Sequence, residues 1–156
     1  MSEQAQILSD AVEQELLSFR VGEQEYSVDI MSVREIRGWT KATPLPHAAP
    51  YVCGVINLRG TVLPIIDLAK RLAIDVAPAS ERNVIIVVQV NGQTLGLVVD
   101  AVSDILSIPQ SEIQPPPDLS GDPSATFVKA LTIVDGRLLR VIDLDSVHPP
   151  IAVDVA

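Results

Sequence analysis

The chain states one pattern twice. Residues 21–36 read VGEQEYSVDIMSVREI and residues 90–105 read VNGQTLGLVVDAVSDI. Val21/Val90, Gln24/Gln93, Val28/Leu97, Ile30/Val99, Val33/Val102, Glu35/Asp104 and Ile36/Ile105 fall in register. A second echo follows each copy. VLPIIDL at 62–68 matches LLRVIDL at 138–144, each behind a glycine-containing turn, Asn57-Leu58-Arg59-Gly60 in one half and Asp135-Gly136 in the other. The repeated unit is half the chain, too long for one supersecondary motif. Such a duplication predicts two similar lobes about a pseudo-twofold axis, with a partner or ligand at the seam between them.

At 156 residues and 47% hydrophobic content the chain can bury a substantial core. Aromatic residues make up only 3%, so that core is aliphatic, and its Val/Ile/Leu blocks are short and broken by 12 prolines and 8 glycines. This favours many short strands. A formal charge of -9 argues against nucleic acid or an anionic membrane surface as the main partner, since both require a cationic face. No stretch is apolar for the roughly 18 residues of a membrane span, and the amino end lacks the basic start and apolar middle of a secretory signal. The expected location is the cytoplasm. The single cysteine, Cys53, lies in an apolar run with no histidine or second cysteine near it, and reads as core packing.

Along the chain, residues 1–14 read as a flexible polar tail. Strands are expected at 15–21 and 25–30 around the Gly22 turn, then a helical turn at 31–36 with Val33 and Ile36 on one side. Thr43-Pro44-Leu45-Pro46 forces an extended segment short of donors. Residues 52–58 and 61–66 form a hairpin, after which Asp67 caps a short helix to Leu72. The connector at 77–80 separates lobes of roughly 15–76 and 82–148. In the second half, strands at 83–90 and 93–99 flank Asn91-Gly92, the strongest short hairpin signal in the chain. A strand at 103–108, a proline loop at 115–123, and a hairpin of 127–134 with 138–142 follow. Asp143 or Asp145 caps a last helical turn before Pro149-Pro150, and 149–156 is a tail. The sum is mainly β: about ten short strands in two five-stranded, SH3-like barrel lobes with short helices, with exchange of a strand between lobes left open.

Catalytic chemistry is not spelled anywhere. Two pseudo-symmetric β lobes suggest a search for an Asp-Thr/Ser-Gly loop in each half, but Asp67 and Asp143 are each followed by leucine and read as helix caps. His47 and His148 lack partners at ligand or base spacing. There is no phosphate loop, Gly-x-Ser-x-Gly elbow or Cys-x-x-Cys pair. No catalytic residue, metal ligand or cofactor is expected, and the scattered aromatics do not line a polyproline groove.

The stretch YVCGVINLRGTVLPIIDL at 51–68, preceded by Val33-Arg34-Glu35-Ile36 and Pro44-Leu45-Pro46, resembles the CheW-type chemotaxis coupling proteins. GLVVDAV at 96–102 does so in the second half, and the resemblance covers 15–147. It implies two SH3-like barrels on a common core and a non-catalytic adaptor that bridges methyl-accepting chemoreceptors to a histidine kinase, cytoplasmic but recruited to membrane-associated receptor arrays. By the same resemblance Arg59 is a receptor-coupling position that Glu35 pairs with. Val33, Ile36, Ile105 and Leu106 would form an apolar wall for a receptor helix. Gly54 and Val33, with Val55 and Asn57, mark the docking region for the kinase's regulatory domain. The family's last hairpin usually carries glycine and an aliphatic run where this chain has Lys129-Ala130 and Arg140, so Arg140 is expected to face solvent or a partner. The competing expectation is a bilobed enzyme or ligand-binding protein with a pocket of convergent polar groups in the seam.

Overall fold

The computed structural model describes residues 12–76, 78–117 and 125–147. In the first half run β1 (Glu13–Val21), β2 (Gln24–Asp29), β3 (Val33–Gly38), β4 (Val52–Leu58) and β5 (Thr61–Asp67), closed by helix α1 (Leu68–Arg71). The second half repeats this with β6 (Val84–Val90), β7 (Gln93–Val99), β8 (Ala101–Pro109), β9 (Val128–Val134), β10 (Arg137–Ile142) and helix α2 (Leu144–Val147). The written repeat is thus a structural one: five strands and one helical turn, twice.

The strands form two sheets, ordered β8-β1-β2-β10-β9 and β3-β6-β7-β5-β4. Replacing each strand of the first by its repeat partner reproduces the second. The match includes the one parallel pairing in each, β10 with β2 and β5 with β7. Neither sheet belongs to one half, so lobes of 15–76 and 82–148 are not the sheets observed: each half lends its opening hairpin to the other. The links explain why. Between β7 and β8 stands only Asp100, which leaves no room for the reversal a hairpin needs. The Asp100 N–H instead donates to Arg20 O (2.9 Å) and its Oδ2 accepts from Gly22 N–H (2.7 Å), carrying the chain into the other sheet. Between β2 and β3 a 3-10 turn, Ile30–Ser32, does the same, with Asp29 Oδ1 accepting from Met31 N–H (2.9 Å).

That turn corrects the expectation of a helical segment over 31–36. Pairing of β3 with β6, Val33 opposite Val88 and Ile36 opposite Ile86, outweighs the weak helical spacing. The sheet also extends into the expected tail, since Glu13 pairs with Pro109 and Gln14 with Ile108. Residues 1–11, His148, the Pro149-Pro150 stop and the tail at 149–156 lie outside the described residues.

Three apolar clusters fill the fold. One lies inside the first sheet (Leu16, Ile108, Leu139, Val141) and one inside the second (Ile56, Leu63, Ile65, Ile85, Val87, Val98). The third is shared by both and includes Leu17, Phe19, Tyr26, Val28, Ile66, Ile86, Val88 and Leu97. Strand β6 shows how sequence builds this: Ile85 and Val87 point into the second barrel while Ile86 and Val88 point into the shared core. A strand covered on both faces reads as an unbroken apolar run.

The two halves are also tied at their helices. The Asp67 N–H donates to Tyr51 O and the Asp143 N–H to Phe127 O, both at 2.7 Å. Asp67 caps α1 by accepting from Lys70 N–H (3.3 Å), and Asp143 caps α2 by accepting from Asp145 N–H (3.1 Å) and Ser146 Oγ (2.9 Å). Between the two rings sits Arg71, its guanidinium 4.2 Å from the Tyr51 centroid and 4.9 Å from that of Phe127. Its Nε donates to Val147 O (3.2 Å) and its Nη2 to Ser146 O (3.0 Å), the C-terminal turn of α2, where a cation is favoured. Charge-assisted hydrogen bonds and cation–π contacts of this kind contribute on the order of 1–3 kcal/mol together in a half-buried setting. Arg71→Leu is expected to lower the unfolding free energy by about 2 kcal/mol, read as a drop in urea midpoint at unchanged slope; an unchanged midpoint would remove Arg71 from this role.

Candidate functional site

In the second sheet β3 lies at one edge and β4 at the other. A side-chain contact reaches from one edge strand to the hairpin that carries the other. Glu35 on β3 accepts at Oε1 from Arg59 Nη2 (2.5 Å), at the tip of the β4–β5 hairpin, and at Oε2 from Arg37 Nη1 (3.0 Å). Both carboxylate oxygens are therefore engaged by different guanidiniums. Arg59 remains 70% exposed while Glu35 is 26% exposed, so the carboxylate acts as a bracket and the arginine as the group presented.

The hairpin tip carries backbone strain. Arg59 and Gly60 both have positive φ, 53° and 86°. The corresponding tips use Asn91-Gly92 and Asp135-Gly136, with Asn91 at 50° and Asp135 at 52°. Asn and Asp tolerate that left-handed region; arginine does so at a cost of roughly 1 kcal/mol. Asn57 organises the turn, its Oδ1 accepting from Gly60 N–H at 2.9 Å.

Hydrogen bonds from Arg59 first, and then from Arg37, hold the Glu35 carboxyl below the usual glutamate range. A carboxylate whose pKa is depressed in the fold keeps its contacts at neutral pH and loses them as pH falls through that lowered value. Carboxyl NMR titration should show the Glu35 midpoint rising toward the ordinary value in Arg59→Ala, and less far in Arg37→Leu. Midpoints that stay put in both would mean the bracket is absent in solution.

The expected apolar wall divides in two. Ile36 and Ile105, repeat partners on β3 and β8, are 47% and 59% exposed. Val33 instead packs against the shared core and Leu106 against the core of the first sheet. Strand alternation is the reason: Leu106 follows Ile105 directly and Val33 lies three residues from Ile36, so each falls on the opposite face.

Of the four expected kinase-docking positions, Gly54, Val55 and Asn57 share strand β4, and Val33 is on β3. Gly54 has φ 145°, and a Cβ there would stand 2.2 Å from Thr43 O. The backbone it lets approach is the chain's own: Thr43 and Val55 exchange hydrogen bonds of 2.8 and 2.9 Å. Gly54→Ala is expected to cost about 2 kcal/mol or more of stability, measurable by thermal unfolding; a wild-type midpoint would show that the strand moves freely away from Thr43.

Elsewhere, Arg140 is half-buried, with its guanidinium 5.6 Å from the Tyr26 centroid. Burial, and secondarily Asp67, push the Cys53 thiol up, in keeping with a side chain packed beside the second barrel's core. A seam crevice of 180 Å³ contains Asp29, Asp143 and Asp145. The first two cap helical turns, and Asp145 accepts from Asn91 Nδ2 at 2.9 Å. Among the described residues no group of three or more His, Cys, Asp or Glu could hold a metal ion, and no helix is long and apolar enough to cross a membrane.

Residues 15–149 match the family described as CheW-like domain. The chain belongs to that family. It is 54% identical over 135 residues, 86% of this chain and 87% of the other, to a chemotaxis protein CheW of Rhizobium meliloti. It is 34% identical to that of Klebsiella aerogenes over 90% of this chain and 85% of the other. The solved structure of the scaffolding protein TtCheW from Thermoanaerobacter tengcongensis aligns with a TM-score of 0.80 at 32% identity, covering 85% of this chain and 90% of that one. CheW-like membership makes this a non-catalytic chemotaxis adaptor.

Sequence reasoning missed two arginines in this fold. Arg71 has no motif to announce it. Arg37 does have a signal: at the repeat offset it falls on Leu106, a charge set against an apolar residue.

Proposed function

We propose that the chain couples methyl-accepting chemoreceptors to a chemotaxis histidine kinase, working in the cytoplasm at membrane-associated receptor arrays. The observation that carries this reading is Arg59: an exposed arginine in a strained backbone conformation, aimed by a half-buried carboxylate, in a chain of the CheW-like family. An ion pair so exposed contributes little to folding, so direction, not stability, is what the pairing provides. Strain at a site that the fold does not need is accounted for by a partner. The receptor's helical tip would meet Arg59, with Ile36 and Ile105 as apolar contacts, and the kinase's regulatory domain would dock along β4 at Val55 and Asn57. Gly54 acts on that surface by letting β4 sit against Thr43.

Arg59→Asn separates the two roles of this position. Asparagine suits positive φ, so the variant should be as stable as the parent or more stable by about 0.5–1 kcal/mol, while lacking the guanidinium. Affinity capture from a lysate of the source cells, with bound proteins identified by mass spectrometry, should recover chemoreceptors and a histidine kinase on the parent chain. The Arg59→Asn bait should lose receptors selectively. Capture of neither class by the parent chain would sink the proposal, and equal receptor capture by both baits would remove Arg59 from it.

A further inference from the structure

The repeat provides an internal control for every residue of the site. Glu35 corresponds to Asp104 and Arg59 to Asp135, so the second half has two acids where the first has an ion pair. Arg37 corresponds to Leu106, which is half-buried against the core of the first sheet. Both are the fifth residue counted from repeat partners Val33 and Val102 on equivalent strands. The fold's own solution at this position is therefore an apolar side chain. Arg37 is instead a half-buried guanidinium, 31% exposed, whose Nε is shielded from solvent without an acceptor. Removing such a donor from water without a partner costs stability, so the fold alone does not account for arginine here.

What Arg37 does is hold Glu35. Its Nη1 takes Oε2 at 3.0 Å, leaving Oε1 turned to Arg59 Nη2 at 2.5 Å. A glutamate side chain without that second contact rotates about its terminal torsion, which is broad and roughly two-fold. With Arg37 in place the carboxylate has one orientation. Arg37 reaches Glu35 from the same strand two residues on, so it shares the rigid β3–β6 ladder through Arg37 opposite Ile85.

We propose that Arg37 is a positioning residue for receptor docking: through Glu35 it fixes the direction in which Arg59 is displayed, without touching the receptor itself. This rests on the reading of Arg59 as the receptor contact. It also explains why the arrangement is confined to one half of a duplicated chain, since the second half lacks all three members.

The test is a double-mutant cycle on the full chain. Arg37→Leu copies the residue at the equivalent position and should fold with a thermal midpoint at or above the parent's. Side-chain NMR relaxation should then report a lower order parameter at Arg59 Nε–Hε. Binding of a purified chemoreceptor cytoplasmic hairpin fragment should weaken about three- to tenfold, the scale of losing one fixed exposed ion pair. Arg37→Lys should recover part of both, and Arg37→Leu combined with Arg59→Ala should bind no more weakly than Arg59→Ala alone. Parent-like binding by Arg37→Leu while Arg59→Ala is weakened would overturn the inference and leave the Arg59 reading intact. Effects that add in the double variant would make Arg37 a direct contact and overturn it too. Parent-like binding by Arg59→Ala would remove both readings together.

Discussion

The exchange of opening hairpins is the constraint on which the rest of this molecule depends. Because β1 and β2 complete a sheet whose other strands come from the second half, and β6 and β7 complete the reciprocal one, neither half contains a closed sheet. The shared cluster that includes Phe19, Tyr26, Ile86 and Leu97 is then not an interface between finished domains but a core that exists only when both halves are present. Arg71 sits in the same junction. Its repeat partner is Val147, whose carbonyl it binds, and its flanking rings, Tyr51 and Phe127, are themselves repeat partners. One asymmetric side chain thus fills a pseudo-symmetric slot, which a duplicated sequence can supply only after its copies diverge.

Each sheet must also manage an open edge, and both use the same device. Thr43 bridges to Val55 on β4, and Gln114 bridges to Leu131 on β9, with hydrogen bonds of 2.8–2.9 Å in both directions. Pro44 and Pro115 follow immediately. A proline has no N–H to extend the ladder, so pairing stops after one bridge and the extended segment covers the edge without becoming a strand. This is also why Gly54 is required: the covering segment lies so close that only a residue without Cβ fits beside Val55. An effect of changing Gly54 on docking would follow from the loss of this cover.

The duplicated elements were legible from sequence because period-2 apolar runs, Asn91-Gly92, Arg59-Gly60 and the Asp67 and Asp143 caps each depend on neighbouring residues. Arg59 and Glu35 were legible through motif resemblance. The exchange was not, because it is decided by links as short as Asp100, whose effect lies in three dimensions. Nor was the side on which an apolar residue falls. Val33 and Ile36 suit one face of a helix but opposite faces of a strand, and the choice between those periods is made by β6, fifty residues away in the chain. The helical period puts Val33 on the open wall with Ile36, and the alternation of the strand turns it inward; Leu106 falls inward because it directly follows the exposed Ile105.

One barrel of a symmetric pair can diverge from the other only where the core permits it. Tips of tight hairpins contribute little to an apolar core, so Arg59 and Asp135 could diverge without disturbing it. Strand positions facing the interior are different, since a charge there costs desolvation. Arg37 occupies such a position, and it is tolerated because Glu35, on the same face, gives it a counter-charge, while Glu35 is in turn held below its ordinary pKa by two arginines. Each member makes the next less costly, and none is stabilised where Asp104, Leu106 and Asp135 stand. The three residues are therefore best understood as a single change from the fold's default, in which Arg59 is the strained and exposed member.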